Sequence, residues 1–193
     1  DPTAAARQNF ENGTLAGSPT QFVSGGILAK WALLNYETGV AGSPASAPAQ
    51  FLTFRATAGR AQIFERAAFY ELASGPQTGK VYVITGPVLL KFAETGGAGG
   101  RLGSPLSDEY SIDGMRRQDF EGGYIDYPPG GTDATAHEGS RTPVVTATPQ
   151  IASAGTVVRL AAGGFESGAR IRVSITGKPD FEVDANTGAH VWE

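Results

Sequence analysis

Two patterns of apolar and polar residues recur in the first 130 residues. Polar and apolar residues alternate on both sides of a glycine-containing turn over 117–127, which predicts a β-hairpin. Apolar residues at helical spacing, such as Val88 and Phe92, predict a short helix over 86–95, and glycines follow its end. The segment 26–35 has the same pattern and predicts an equivalent helix.

These patterns belong to an internal repeat. The sequence Arg-Gln-Asn-Phe-Glu at 7–11 returns as Arg-Gln-Asp-Phe-Glu at 117–121, with a weaker copy, Ala-Gln-Ile-Phe-Glu, at 61–65. Two further blocks share a single offset along the chain: 25–31 matches 86–92, and 41–46 matches 102–107. A shared offset and a fixed order of blocks predict two complete units followed by the opening of a third.

Composition restricts the partners that this chain can have. The 193 residues include 27 Gly and 12 Pro, as expected for many turns and short elements, and the net charge is −4. That charge excludes the basic footprint needed to bind nucleic acid. The longest apolar runs fall short of the ~18 residues of a membrane span, so we expect no membrane insertion. The chain has no cysteine, which excludes disulfides and thiolate metal sites.

The residue composition and the periodic pattern of the chain change after Pro129. Segment 132–142 is polar, contains Gly and lacks periodicity, as is typical of a linker. Period-two alternation then returns at 156–160 and 170–175, which predicts strands. We therefore predict a repeat domain over 1–131, a linker over 132–142 and a β domain over 143–193.

Residues 102–109, Leu-Gly-Ser-Pro-Leu-Ser-Asp-Glu, with Arg-Gln-Asp-Phe-Glu-Gly-Gly at 117–123 and a Gly-x-[Ile/Leu]-x-x-Lys-[Trp/Phe] helix upstream, resemble the LGFP repeat. The family core is Leu-Gly-Phe-Pro, and Ser104 and Ser43 occupy its third position here. The resemblance covers about residues 7–130. Segment 143–193 resembles the first strands of a bacterial Ig-like β-sandwich, a domain that needs about 100 residues. The expected fold is an α+β domain of β-hairpins and short helices, about two and a half repeats, followed by an all-β Ig-like segment that is incomplete.

The LGFP resemblance implies a secreted protein of a mycolic-acid-type actinobacterial envelope, located in the cell wall or at the cell surface. In such proteins the repeats accompany mycoloyltransferases or peptidoglycan amidases and hold them against wall polysaccharide, in particular arabinogalactan. Cell-wall polysaccharide is therefore the expected partner, with other protein subunits as a second class.

The hairpin at 117–127 is the first candidate for a glycan contact. Tyr124 and Tyr127 are separated by an odd step on one strand, so they lie on opposite faces and at least one of them faces water. Charged residues surround them. The predicted glycan-binding residues are Tyr124, Tyr127, Arg116, Arg117 and Asp126.

The recurring Gln-x-Phe-Glu residues have two interpretations. In the first interpretation, each of the three copies contacts a ligand. In the second, these residues fix each unit against its neighbour, as repeat proteins require. The second interpretation is favoured, and it extends to the aromatic residue of each helix. The predicted structural set is Gln8, Phe10, Glu11, Gln62, Phe64, Glu65, Gln118, Phe120, Glu121, Trp31 and Phe92.

Other candidate chemistry is weak. Asp108 and Glu109 are adjacent carboxylates, and we expect them to cap the turn after Gly-Ser-Pro by accepting backbone N–H bonds. The Asp-x-Asn-x-Gly sequence at 184–188 has the opening spacing of a calcium loop without its closing Glu, so a β-turn is favoured. A triad of Asp133, His137 and Ser140 would lack rigid support. We expect no enzyme activity, no metal and no cofactor.

These arguments predict a non-catalytic module that binds wall polysaccharide or anchors a protein in the envelope. Two alternatives remain at this level. One is a structural or adhesive assembly protein, such as a surface fibre or a phage tail component. The other is the accessory C-terminal part of a secreted wall enzyme whose catalytic domain is not in this chain.

Overall fold

The structure is a computed structural model that describes residues 7–75, 77–139, 144–148, 158–163, 170–174, 180–184 and 190–192. Small antiparallel sheets dominate it, together with two short helices. The expected combination of β-hairpins and short helices is thus confirmed.

Three sheets follow one another in the first 139 residues, and we number them in chain order. Sheet 1 has the order β1-β2-β3, with β1 Gln8–Phe10, β2 Gly13–Ala16 and β3 Gln21–Val23. Sheet 2 has the order β4-β5-β6-β7, with β4 Ala49–Leu52, β5 Ala58–Ile63, β6 Ala67–Leu72 and β7 Val81–Thr85. Sheet 3 has the order β11-β10-β9-β8, with β8 Tyr110–Ile112, β9 Met115–Phe120, β10 Gly123–Tyr127 and β11 Thr135–Glu138.

Each helix connects one sheet to the next. Helix α1 spans Gly25–Leu33 and helix α2 spans Gly86–Glu94, as the apolar spacing predicted. Each helix buries two residues four positions apart, one of them aromatic: Ile27 and Trp31 in α1, Val88 and Phe92 in α2. Residues four apart share a helix face, so one stripe of each helix enters the core.

The helices pack between the sheets as separate layers. Trp31 of α1 lies in one core cluster with Ala16 and Val23 of sheet 1, with Phe69 of sheet 2 and with Phe64, which directly follows β5. The layers therefore run from sheet 1 through α1 to sheet 2.

The second core cluster continues this order. Phe92 of α2 packs with Tyr70 and Ile84 of sheet 2 and with Phe120 and Ile125 of sheet 3. Sheet 2 therefore has both faces covered, and three successive residues of β6, Ala68, Phe69 and Tyr70, are all buried.

The predicted linker at 132–142 contains a strand. Residues Thr135–Glu138 form β11, which pairs with β10 in antiparallel register, so that His137 lies opposite Tyr124. Composition alone did not reveal this strand because its stability comes from pairing with β10 rather than from apolar periodicity.

The described residues after 143 form short antiparallel strands. One sheet has the order β12-β13-β16, with β12 Val144–Thr148, β13 Val158–Gly163 and β16 His190–Trp192. A second pair joins β14 Arg170–Val173 to β15 Phe181–Asp184. Asp184 ends β15, and the rest of the turn predicted at 184–188 lies outside the described residues. The turn predicted at 163–168 also lies outside them, apart from Gly163.

Candidate functional site

The glutamines at 62 and 118 make the same pair of contacts in consecutive layers. Gln62 Nε2 donates to the carbonyl oxygens of Phe22, at 3.0 Å, and Ser46, at 2.9 Å. Gln118 Nε2 donates to the corresponding oxygens of Val83, at 3.0 Å, and Ser107, at 2.8 Å. Each buried amide therefore ties a sheet to the strand before the preceding helix and to the loop after that helix.

The glutamates of the same motif hold the Gly-Ser-Pro loop. Glu65 Oε2 accepts a hydrogen bond from the backbone N–H of Ser43 at 3.2 Å, and Glu121 Oε2 accepts one from Ser104 at 2.9 Å. Backbone bonds at these positions run in the opposite sense, from the glutamate N–H to the serine carbonyl. The motif glutamates thus have a packing role in the second and third copies.

The motif phenylalanines complete this packing in the same two copies. Phe64 is 2% exposed and contacts Trp31 with ring centroids 5.3 Å apart. Phe120 is fully buried and stacks on Phe92 at 4.7 Å. Trp31 is itself buried and donates its indole N–H to the carbonyl of Gly42.

The first copy of the motif differs from the other two. Gln8 and Glu11 are exposed, and Phe10 is 50% exposed. We predicted a structural role for all three residues, but here they make no packing contact of the kind seen at Phe64 and Phe120. The physical reason is that no described layer covers this face of sheet 1.

Sheet 3 separates the predicted glycan-binding residues onto two faces. The Arg117 guanidinium carbon lies 3.6 Å from the centroid of the Tyr124 ring, and the His137 ring stacks on Tyr124 at 4.3 Å. Strands β9 and β11 flank β10, so these two groups contact the Tyr124 ring from its two sides. Tyr124 therefore has no open ring face on which a sugar could stack.

The polar residues around Tyr124 bind one another. Arg117 is 4% exposed and pairs with Asp119 over 2.9 Å, and Tyr110 also donates to Asp119. Asp126 lies 2.9 Å from His137 Nε2. Arg117 and Asp126 are thus engaged in internal contacts, and the burial of Arg117 removes it from the glycan candidates.

Arg116 and Tyr127 lie on the opposite face and share Glu109. Arg116 Nε donates to Glu109 Oε1 at 2.7 Å, and the Tyr127 hydroxyl donates to the same carboxylate at 3.0 Å. Arg116 also donates to Ser111 Oγ at 2.8 Å. Burial raises the pKa of Tyr127, and Glu109 adds to this. Burial opposes the charge on Arg116, but the hydrogen bond and charge of Glu109 outweigh it and raise the pKa of Arg116.

Sheet 2 has an arginine at the position equivalent to Arg116. Arg60 stands two residues before Gln62, as Arg116 stands two residues before Gln118. Its cross-strand neighbours are Gln50 and Glu71, and those of Arg116 are Ser111 and Tyr127. We call these two sets the arginine rows: Gln50, Arg60 and Glu71 in sheet 2, and Ser111, Arg116 and Tyr127 in sheet 3.

Arg60 is fixed at the start of α1. It forms an ion pair with Glu71 and donates to the carbonyl of Ser24 at 3.0 Å. Glu71 accepts a further hydrogen bond from the N–H of Gly26 at 3.2 Å. Beside this pair is an open cleft of about 320 Å³ whose polar lining includes Gln50, Arg60, Glu71 and Thr78.

The adjacent carboxylates Asp108 and Glu109 have different partners. Asp108 Oδ1 accepts the N–H of Val83 on β7 at 3.0 Å, and its other oxygen pairs with Lys30 of α1. The expectation that both residues cap the turn after Gly-Ser-Pro was therefore wrong: Asp108 accepts a backbone N–H from the neighbouring sheet, and Glu109 binds side chains.

The sequence did not point to Gln50, Arg60, Glu71 or Ser111. The sequence signal that could have identified Arg60 is an arginine two residues before each of Gln62 and Gln118. Among the described residues, no group of three or more His, Asp or Glu side chains is arranged to hold a metal ion. No helix in the described part of the chain has the length and apolar character needed to cross a membrane.

No family model matches this chain, and a search of the curated proteins found no match.

Proposed function

We propose that the chain is a non-catalytic module that binds cell-wall polysaccharide, with the two arginine rows as its sugar-contact sites. The observation that supports this most strongly is the recurrence of a partly exposed arginine, held by a carboxylate, at the same position in consecutive sheets. Side-chain exposure is 29% for Arg60 and 35% for Arg116. Both arginine side chains are therefore held by internal partners and remain partly exposed.

The chemistry of each row suits a polyhydroxylated ligand. A guanidinium has five N–H donors in a fixed plane, and a carboxylate provides several acceptor positions. Arg60 and Glu71 together present both kinds of group at the open cleft, with the exposed amide of Gln50 beside them. Because the ion pair already fixes both side chains, little further side-chain entropy is lost when hydroxyl groups bind.

The stacking of the layers favours binding to a polymer. Gln118 ties sheet 3, which carries one row, to strand β7 of sheet 2, which carries the other, so the two rows are held at a constant separation. Two weak sites at a fixed separation act together on a repeating chain, and their combined affinity exceeds that of either one. The resemblance to LGFP repeats supports arabinogalactan or peptidoglycan as that polymer and a location in the cell wall.

A binding experiment with purified arabinogalactan and peptidoglycan tests the proposal. We expect the wild-type chain to be retained on at least one of them, without turnover of the glycan. Gln50→Ala with Ser111→Ala alters both rows at exposed positions, and it should weaken retention more than either single change. Arg101→Ala is the matched control, since its side chain is 86% exposed and lies outside the rows. Absence of retention on both glycans, beside a positive control protein, would contradict the proposal.

The structural or adhesive alternative has one observation in its favour. Phe10 and Phe22 on sheet 1 are 50% and 42% exposed. An ordered polymer in light scattering, without glycan affinity, would favour assembly over polysaccharide binding.

A further inference from the structure

The layered part of the chain has two unlike ends. In sheets 2 and 3, the face that carries the motif residues receives the preceding helix and its Gly-Ser-Pro loop. Phe64 meets Trp31 and forms a bridge with Pro44, while Phe120 meets Phe92 and forms a bridge with Pro105. These two interfaces show that this face packs against a helix aromatic and a Gly-Ser-Pro loop.

Sheet 1 presents the same face, and none of the described residues forms a layer over it. Its motif residues are Gln8, Phe10 and Glu11, and Phe22 occupies the position of Val83 in sheet 2. Gln8 and Glu11 are exposed, and Phe10 and Phe22 are 50% and 42% exposed, so this face combines an apolar surface with polar side chains. We call this set the Phe10 face.

The other end of the layers is closed by polar pairs. The face of sheet 2 that packs on α2 carries Ala61, Ala68 and Ile84, and sheet 3 has Arg117, Tyr124 and His137 at the equivalent positions. These three side chains stack on one another. Repeat proteins end in units with a polar outer face. Sheet 3 carries polar side chains on this face, although Arg117 itself is buried, whereas the Phe10 face is apolar at Phe10 and Phe22.

We infer that the Phe10 face docks a further helix-and-loop unit of the kind formed by α1 with 41–46 and by α2 with 102–107. The docked helix places an aromatic ring on Phe10. Its loop and the strand before it offer two carbonyl oxygens to the Gln8 amide, and a backbone N–H of the loop meets Glu11. Each of these contacts has a counterpart at Gln62, Phe64 and Glu65.

The partner is a third unit and not one of those described in this chain. Trp31 is fully buried and Phe92 is 2% exposed, so both helix aromatics are already engaged with Phe64 and Phe120. A second copy of the chain could present such a helix only by opening its own core.

An extended chain tests the inference directly. A copy of residues 81–116 is fused ahead of Arg7, where the shared Arg-Gln-x-Phe-Glu sequence fixes the register. We expect the amide hydrogens of β1 to exchange at least about tenfold more slowly than in the unextended chain, because the added layer must open before they exchange. The melting midpoint should also rise.

Two variants of the extended chain identify the contact. Phe10→Asp should abolish the added protection, and so should Phe92→Asp placed in the copied helix only. Gln8→Ala, which leaves the apolar surface intact, should reduce the protection without abolishing it. Leu33→Asp is the control, because Leu33 is 79% exposed on α1 and should leave the protection unchanged.

Two results would overturn the inference. One is an extended chain with native circular dichroism, unchanged exchange in β1 and an unchanged melting midpoint. The other is an unextended chain that is dimeric in light scattering and becomes monomeric with Phe10→Asp, since a second copy would then be the occupant of the Phe10 face.

Discussion

The side-chain amide of Gln118 donates a hydrogen bond to the carbonyl oxygen of Val83, and this 3.0 Å contact joins sheet 3 to strand β7 of sheet 2. The same amide also reaches Ser107. A single buried side chain therefore fixes the two segments that flank α2, one on each side of the helix.

Removal of this amide should destabilise the chain. Gln118→Ala leaves two carbonyl oxygens without their donor, and the expected loss is about 1–3 kcal/mol in the free energy of unfolding. Urea denaturation followed by circular dichroism measures it. Gln8→Ala is the matched control at the exposed copy of the motif, and it should change the free energy of unfolding by less than about 0.5 kcal/mol. Equal effects at both positions would contradict the packing role.

Substitution of the motif phenylalanines should show the same difference between the buried and the exposed copy, with a larger loss of stability at the buried one. Phe120→Ala removes a fully buried ring that stacks on Phe92, and large-to-small changes of this kind cost about 3–5 kcal/mol. Phe10→Ala removes a half-exposed ring and should cost much less. Thermal unfolding of the two variants in parallel compares them, and a Phe10 variant as unstable as the Phe120 variant would disprove the difference.

Asp108 should contribute more to the free energy of unfolding than its ion pair with Lys30 alone provides. Lys30→Ala breaks a partly exposed pair and should cost about 0–1 kcal/mol. Asp108→Ala also leaves the N–H of Val83 without its acceptor, which adds to the loss. Asp108→Asn keeps an acceptor oxygen and should restore most of the difference. Denaturation of the three variants in urea gives this order, and equal losses from Lys30→Ala and Asp108→Ala would refute it.

Tyr82 should resist ionisation in the folded chain. Burial, with a further contribution from Asp108, raises the pKa of Tyr82 to about 12. An unfolded tyrosine ionises near pH 10, so the unfolded state binds fewer protons between about pH 10 and 12. The contribution of Tyr82 to stability is therefore complete below pH 10 and is lost as the pH rises towards 12.

Ultraviolet titration of tyrosinate absorbance checks this. The wild-type chain should show a late ionisation whose amplitude Tyr82→Phe reduces by one tyrosine, since burial also raises the pKa of Tyr70 and of Tyr127. The variant should also lose stability less steeply above pH 10. A late part of the titration curve that Tyr82→Phe leaves unchanged would show that Tyr82 is not among the late-ionising tyrosines.

The sequence predicted local structure well where the pattern was local. Apolar spacing located both helices, because each helix buries one stripe that includes Trp31 or Phe92. Alternation located the hairpin of β9 and β10. The Asp113-Gly114 turn was a further usable signal, since two residues with positive φ favour a tight hairpin, here the one that places Ser111 opposite Arg116.

The environment of the motif residues could not be predicted in this way. Phe10 and Phe120 lie in nearly identical local sequences, and only the presence or absence of a covering layer makes one half-exposed and the other buried. The coverage of the Tyr124 ring could not be predicted either. One of its faces is covered by His137 of β11, and the polar composition of that strand gave no sign that it pairs with β10.

Arg116 was predicted as a contact residue from its neighbours in sequence. Its counterpart Arg60 was not, although both arginines stand two residues before a motif glutamine, because no pair of tyrosines follows Gln62 as Tyr124 and Tyr127 follow Gln118.

Sheet 2 gives the chain one further property. Its two faces each pack against a helix, so the boundary between the first and second halves of the layered region passes through a sheet with apolar core residues on both faces. The segment 73–80, between β6 and β7, is the connection that crosses this boundary. A chain severed there would yield two pieces with matching apolar surfaces and matching strand edges, which makes this molecule a natural candidate for fragment complementation.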